Sequence, residues 1–219
     1  VVSSVAALVL LLGMARDEAA PAPTPVWRRL HRTLSARDPW LVAIAFLLYS
    51  GQWLAVIGFL PTILAQTGHS GWLVGVLGAV AAVVNMAGNI GAGRWLASGA
   101  RPGAVVSVAY LTMGLSAMVA FGAQGQPVLQ YVAVLLFSAV GGLIPGTLFV
   151  LAVRLAPGAD TVSTTVGWVQ QLSALGQFAG PPLVAWVATL AGGWHLTWTV
   201  TAMASALGCV VAWALHRHT

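Results

Sequence analysis

Uncharged amide side chains interrupt the long apolar runs of this sequence. Gln52 lies between Tyr49 and Trp53, near the middle of the run that begins at residue 40. An amide donates two hydrogens and accepts others but does not titrate, so Gln52 can orient a polar solute but cannot carry a proton. Because an unmatched amide is costly in apolar surroundings, Gln52 either lines a wet cavity or bonds to a neighbouring helix. The sequence leaves both roles open.

Two further sets of amides share helix faces. Asn85 and Asn89 are four residues apart, so a helix places them on one side. Gln170 and Gln177 are seven residues apart and also share a face, from which Gln171 points away. For each set, contact with a solute and adhesion between helices are both open. Gln177 is the strongest solute-binding candidate among the three glutamines.

Charged side chains are missing from the middle of these runs. No Asp, Glu, Lys or His lies there, which predicts that this part of the protein holds no proton carrier. The sequence has no lysine for a phosphate-binding loop, no metal-ligand spacing of Cys and His, and no Gly-x-Ser-x-Gly motif. We therefore expect no catalytic residue, no metal, no cofactor and no enzyme activity.

The elements that carry these amides are expected to be transmembrane helices. Hydrophobic residues make up 59% of the 219 positions and charged residues 6%, against about 45–50% and about 25% in soluble domains. Such a chain cannot cover a globule with polar surface, so we expect a lipid bilayer to surround it. The nine basic residues are arginines in connecting segments, not a stripe along one face, which argues against a nucleic-acid partner.

Six stretches reach the roughly 20 residues that a helix needs to cross a bilayer core of about 30 Å. Short segments rich in Gly, Pro and Gln separate them, so neighbouring spans run antiparallel. The arginines fall in alternate connections, and hence on one side, which the positive-inside rule assigns to the cytoplasm. The predicted spans are 40–64, 72–94, 103–123, 128–153, 163–190 and 195–215.

The chain before the first full span divides into two parts. The run 1–14 is apolar but too short to cross a bilayer, and we interpret it as the end of a truncated span, with a signal-peptide core as the alternative. The segment 15–38 carries three prolines and five arginines and is expected to be a basic cytoplasmic linker. The predicted fold is an all-α, six-helix transmembrane bundle over 39–219.

Glycine and proline fall inside the fourth and fifth predicted spans. The residues concerned are Gly141, Gly142 and Pro145 in the fourth span and Pro181 and Pro182 in the fifth. Proline removes a backbone hydrogen bond and glycine lets helices approach closely, so we predict hinges there, with close packing as the alternative. We also expect the helix faces that bear Gln52 and Gly141 to point to a common cavity.

Three stretches of the same two spans have a recognisable pattern, namely Gly141–Gly146, Gly167–Gln171 and Gly176–Pro182. Together with a truncated span, a basic linker and six spans, they resemble the C-terminal half of a major facilitator superfamily transporter, over the whole chain. Within that superfamily the stretches resemble the bacterial cyanate-permease-like group. The resemblance implies two inverted three-helix repeats and transport by alternating access.

The loop between the second and third spans is similar to the basic motif of that superfamily, which runs Gly-x-x-x-Asp-Arg-x-Gly-Arg. Arg94 matches its first arginine, and Gly99 and Arg101 follow in the same loop. The acidic position of the motif falls on Gly93, so this sequence departs from the pattern at the residue that completes a charge pair.

The resemblance also implies the partners and the cellular location of the chain. We expect a small-molecule solute, the missing N-terminal half of the same protein, and a location in the bacterial cytoplasmic (inner) membrane. A non-transporting polytopic scaffold or assembly protein is the alternative, because it needs neither intramembrane charge nor a second half. A channel is less well supported, since no ring of acidic residues and no repeated pore loop is present in the sequence.

Overall fold

The structure is a computed structural model that describes residues 25–66, 68, 70–123 and 125–216. The predicted truncated span 1–14 and the linker before residue 25 lie outside the described residues. Within the described ranges the chain forms helices α1 (Val26–Ser35), α2 (Arg37–Gln66), α3 (Gly71–Ala97), α4 (Pro102–Gly122), α5 (Pro127–Gly141), α6 (Leu143–Arg154), α7 (Val162–Ala191) and α8 (Trp198–His216). Short 3-10 turns, Ala159–Thr161 and Trp194–Leu196, precede α7 and α8.

Residues that cap a helix or cannot extend one set the ends of the spans. The Ser70 hydroxyl accepts a hydrogen bond from the backbone N–H of Leu73 at 3.5 Å, at the start of α3. Pro102 and Pro127 begin α4 and α5, where a backbone N–H is not needed. Gly192 ends α7 in the left-handed conformation, with φ of 67°. In the described part of the chain, six helical segments are long and apolar enough to cross a membrane, which confirms the predicted spans.

In the bundle, helices of the first three spans pack against helices of the last three. Helix α2 packs along α7, α3 packs along α5 and α6, and α4 packs along α8. Neighbouring spans alternate in direction, so the unit of the first three spans, α2 to α4, begins at one end of the bundle and the unit of the last three, α5 to α8, begins at the opposite end. This is the arrangement of two inverted three-helix repeats, and the predicted all-α, six-helix bundle is confirmed.

Glycines allow α2 and α7 to approach closely. A Cβ atom on Gly180 would overlap the carbonyl oxygen of Gly51, and one on Gly176 would overlap that of Leu47. Helices surrounded by lipid gain little from burying apolar surface against each other, so small residues that bring backbones together are a main source of their packing energy. This contact sets the rotation of α7 and hence the direction of its glutamines.

Burial is uneven across the bundle. Large side chains of α4, α5 and α6 such as Tyr110, Phe137, Ile144 and Leu148 are fully buried. In the most apolar stretch of α2, 56% of the residues are buried, but the corresponding values are 17% for α3 and 11% for the segment that contains α7. We call the exposed sides of α3 and α7 the open faces of the bundle.

Candidate functional site

Five side chains from α2, α3 and α5 form one hydrogen-bonded group near the middle of the spans. The Asn85 amide donates to the Tyr49 hydroxyl at 3.0 Å and to the Ser138 carbonyl oxygen at 2.8 Å. The Trp53 indole N–H donates to the Ser138 hydroxyl at 3.1 Å. The Asn89 amide donates to Oδ1 of Asn85 at 3.3 Å. We call these five residues the Asn85 cluster.

Helical spacing explains how the Asn85 cluster forms. Tyr49 and Trp53 are one turn apart on α2, and Asn85 and Asn89 are one turn apart on α3. Tyr49 and Asn85 are buried, whereas Trp53 and Asn89 are only half-buried. The polar groups of Asn85 are thus matched inside the protein, and the edge formed by Trp53 and Asn89 is the more exposed part of the cluster. Ser138 was not predicted, and its only sequence signal is its place one turn before Gly142.

The fourth span is interrupted beside the Asn85 cluster. Helix α5 ends at Gly141 and α6 begins at Leu143, so the break falls inside the predicted hinge. The Ser138 carbonyl oxygen accepts from the backbone N–H of Gly142 at 3.0 Å as well as from the Asn85 amide. A Cβ atom on Gly142 would overlap the backbone carbonyl oxygen of Asn85, so close packing is present as well. Bending at Gly142 stays a prediction.

The prolines of the predicted hinges have different surroundings. Pro145 is buried in the first turn of α6, where its missing N–H leaves no hydrogen bond unmade. Pro181 and Pro182 lie inside α7, which continues through both of them without a break. The helical assignment therefore lapses at Gly142 in the fourth span, where the backbone keeps helical angles (φ −58°, ψ −20°), and is continuous in the fifth.

Gln52 lies apart from the Asn85 cluster. Only 3% of its surface is exposed, and its Oε1 accepts a hydrogen bond from the Ser205 hydroxyl of α8 at 3.0 Å. Its Nε2 is buried without a partner among the described residues. A Cβ atom on Gly141 would lie 3.0 Å from the sulfur of Met113 on α4. Gln52 and Gly141 thus face α8 and α4 inside the bundle, and a common cavity lined by both stays a prediction. The position of Gln52 favours helix adhesion.

Helix α7 presents its glutamines at the surface. Gln170 and Gln177 are exposed, as is Gln171 on another side of the helix. The Gln177 amide donates to the Ser173 hydroxyl at 3.3 Å, and that hydroxyl bonds to the Ser50 hydroxyl of α2 at 2.7 Å. The candidate residues therefore separate into the Asn85 cluster on one side of α2 and the α7 pair on the other. Contact of either group with a solute stays a prediction.

All arginines within the described residues lie at one end of the bundle, which we call the arginine end. Helix α1 lies there, and the Arg32 guanidinium donates to both carboxylate oxygens of Asp160 at 3.0 Å. The hydroxyls of Thr33 and Thr164 are 2.9 Å apart. These contacts attach the linker to the connection between α6 and α7. Nothing local in the sequence marks this pair, because its two residues are 128 positions apart.

Comparison with known proteins identifies the family. A family model described as Major Facilitator Superfamily matches residues 1–181. The chain belongs to this superfamily. Among curated protein sequences, none is similar to this chain at a significant level.

Two solved superfamily structures share the fold. A variant of the E. coli fucose:proton symporter FucP superposes with a TM-score of 0.79 at 19% identity, over 97% of this chain and 53% of that one. A FucP structure in the outward conformation gives a TM-score of 0.77 at 20% identity, over 96% and 52% of the two chains. The chain thus spans about half the length of these facilitators. At this identity the likeness shows the fold alone.

The facilitator basic motif is only partly present at the arginine end. Arg94 and Arg101 are exposed on either side of the turn between α3 and α4, and Gly99 shapes that turn with a φ of 92°. Gly93, at the acidic position, is exposed and offers no carboxylate to pair with an arginine. The motif here supplies a tight turn and positive charge.

Proposed function

We propose that this chain is the C-terminal half of a secondary active transporter for a small solute, working by alternating access in a bacterial cytoplasmic membrane. The observation that carries the proposal is the exposure of α3 and α7, which are less buried than the other four spans. Large apolar side chains stand out from them, among them Met86 with 64% of its surface exposed and Phe178 with 78%. The missing N-terminal half would cover these faces, in agreement with the half-length match to FucP.

We assign solute contact to the polar side chains that reach the open side of the bundle. These are Gln170 and Gln177 of α7 and the half-buried edge of the Asn85 cluster, Trp53 and Asn89. All of them are neutral hydrogen-bonding groups, which suit a small polar solute. Two similarities support a small solute: the resemblance of the fourth and fifth spans to the cyanate-permease-like group, and the fold shared with a fucose:proton symporter.

Proton coupling, where it occurs in this transporter, is assigned to the missing half. No Asp, Glu, Lys or His lies in the middle of any described span. The amides of this half do not titrate in the working range. We further assign the break at Gly142 to bending of the fourth span during the transport cycle, because the Ser138 carbonyl ties that break to the Asn85 cluster.

A non-transporting scaffold is the second candidate, and one observation favours it. Asn85 finds its partners within the bundle, and Gln52 bonds to Ser205 of α8. Polar side chains used in this way hold helices together without any solute. Uptake measurements separate the two candidates.

The test is uptake by proteoliposomes that contain the full-length protein, screened over small anions, amino acids, sugars and drugs. For a solute that is taken up, Gln177→Leu is expected to raise KM about two- to tenfold, the equivalent of one lost hydrogen bond of about 0.5–1.5 kcal/mol. Gln171→Leu, on another side of α7, is the matched control and is expected to leave KM unchanged. Failure of the folded full-length protein to transport any solute in the screen would favour the scaffold.

A further inference from the structure

A cavity of about 660 Å³ lies at the end of the bundle opposite the arginine end. Val56 and Leu60 of α2, Phe121 of α4 and Val134 of α5 form its inner wall, and the turn with Trp194 closes one side. Val134 precedes Ser138 by one helical turn, so the cavity begins just beyond the Asn85 cluster. Its volume is within the range of about 300–1,000 Å³ that is typical of ligand pockets.

The cavity offers mainly carbon atoms to an occupant, and two polar side chains at its wall, Tyr131 and Gln130, donate their hydrogens within the protein. The Tyr131 hydroxyl donates to the Leu77 carbonyl oxygen at 2.9 Å, and the Gln130 amide donates to the Ala120 carbonyl oxygen at 2.9 Å. Water is held in a cavity only where it finds two to four polar partners. Protein interiors otherwise leave few voids larger than a water molecule. An apolar ligand therefore fits this cavity better than water or a polar solute does.

The cavity is continuous with the apolar outer surface of α5. Val128 and Val132 line it, and 77% and 52% of their surfaces are exposed. In a multi-pass membrane protein, lipid acyl chains reach every such apolar surface that no other protein segment covers. Gln66 and His195 lie at the rim near the span ends, where a bilayer has its polar headgroups. The opening thus joins an apolar interior to a polar rim at the depth of a lipid headgroup.

We propose that this cavity binds the acyl chain of a membrane phospholipid, with the headgroup at the rim beside Gln66 and His195. The site is separate from the polar side chains assigned to the solute and does not depend on transport. An acyl chain there contacts both α2 and α5, and it stabilises the packing of α5 on α2 beside the break at Gly142.

Photocrosslinking tests the proposal on the full-length protein in nanodiscs. A phosphatidylethanolamine with a diazirine in its acyl chain is incorporated, illuminated, and its adducts are mapped by peptide mass spectrometry. We expect adducts on cavity residues such as Leu60 and Phe121. Ala120→Trp fills the cavity and is expected to lower these adducts at least tenfold. Leu111→Trp on α4, whose leucine is 58% exposed, is the matched control and is expected to leave them unchanged.

Leu77→Trp provides a second filling variant from another wall, in case Ala120→Trp does not fold. The proposal fails if adducts occur only on outward-facing residues such as Leu111, or if cavity adducts persist in a folded filling variant. Labelling of the cavity by a diazirine fatty acid but not by the phospholipid would also overturn it. None of these outcomes bears on solute uptake, so the lipid site and the transport proposal fail independently.

Discussion

Replacement of Asn85 by leucine removes the polar centre of the cluster that joins α2, α3 and α5. The Ser138 carbonyl oxygen keeps its bond from the Gly142 N–H, but the buried Tyr49 hydroxyl loses its Asn85 contacts. Interhelical hydrogen bonds in membrane proteins average about 0.6 kcal/mol each, and a buried polar group left unmatched costs about 1–3 kcal/mol. We expect Asn85→Leu to lower the free energy of unfolding by about 2–4 kcal/mol, from two lost bonds and one orphaned hydroxyl.

A double-mutant cycle separates the orphaned hydroxyl from the lost bonds. Tyr49→Phe alone leaves Asn85 bonded to Ser138 and is expected to cost about 1 kcal/mol. In the double variant the orphan is gone and the Tyr49–Asn85 bond is counted once, so its destabilisation should fall short of the sum of the single effects by about 2–4 kcal/mol. The measurement is reversible unfolding of the four purified full-length proteins by SDS titration in mixed micelles. Strictly additive effects, or a neutral Asn85→Leu, would refute the role of the cluster in holding the three helices together.

Three further substitutions and one control probe contacts elsewhere in the bundle. Gly180→Ala forces a methyl group against the backbone of α2 and is expected to cost about 1–3 kcal/mol in the same titration. The control is Gly58→Ala, where a Cβ atom meets nothing within 4 Å, and it should be neutral or stabilising by up to about 1 kcal/mol. Equal changes in unfolding free energy for Gly180→Ala and Gly58→Ala would contradict close packing of α2 on α7. Arg32→Gln breaks the pair with Asp160, whose side chains are 48% and 34% exposed in the order named. Its effect on the free energy of unfolding should be under about 1 kcal/mol and should disappear at high salt. A melting temperature that is lowered equally at low and high salt would contradict a surface ion pair. Gln52→Leu removes one bond to α8 but also one unmatched buried N–H, so stability should change by less than about 1 kcal/mol. Its KM for uptake should not change, and a raised KM in folded protein would return Gln52 to the solute site.

The elements of the bundle could be predicted because local chemistry sets them. Bilayer thickness requires about 20 apolar residues per span, and this length is visible in sequence. Pro102, Pro127 and Gly192 end or begin helices through their own backbone preferences, without help from distant residues. The break at Gly142 belongs to the same class, since paired glycines weaken a helix wherever they occur.

The partners of the polar side chains could not be predicted in the same way. Gln52 and Ser205 are 153 residues apart, and Asn85 and Ser138 are 53 apart. Their pairing depends on which helices become neighbours. The pair of Arg32 with Asp160 likewise requires that the linker fold back on the connection between α6 and α7.

By itself, the sequence determined the number, length and order of the spans, their alternating direction, and the residues at which helices end. Only the tertiary structure decided which way each span is rotated. A helix such as α2 is apolar on nearly every side, so no polar stripe marks the face that turns inward. Close contacts between glycines, such as Gly51 with Gly180, set that rotation. With α2 held in that rotation, Tyr49 points to Asn85 and Gln52 points to Ser205. The two side chains differ in direction because each residue of a helix is turned by about 100° from the one before it.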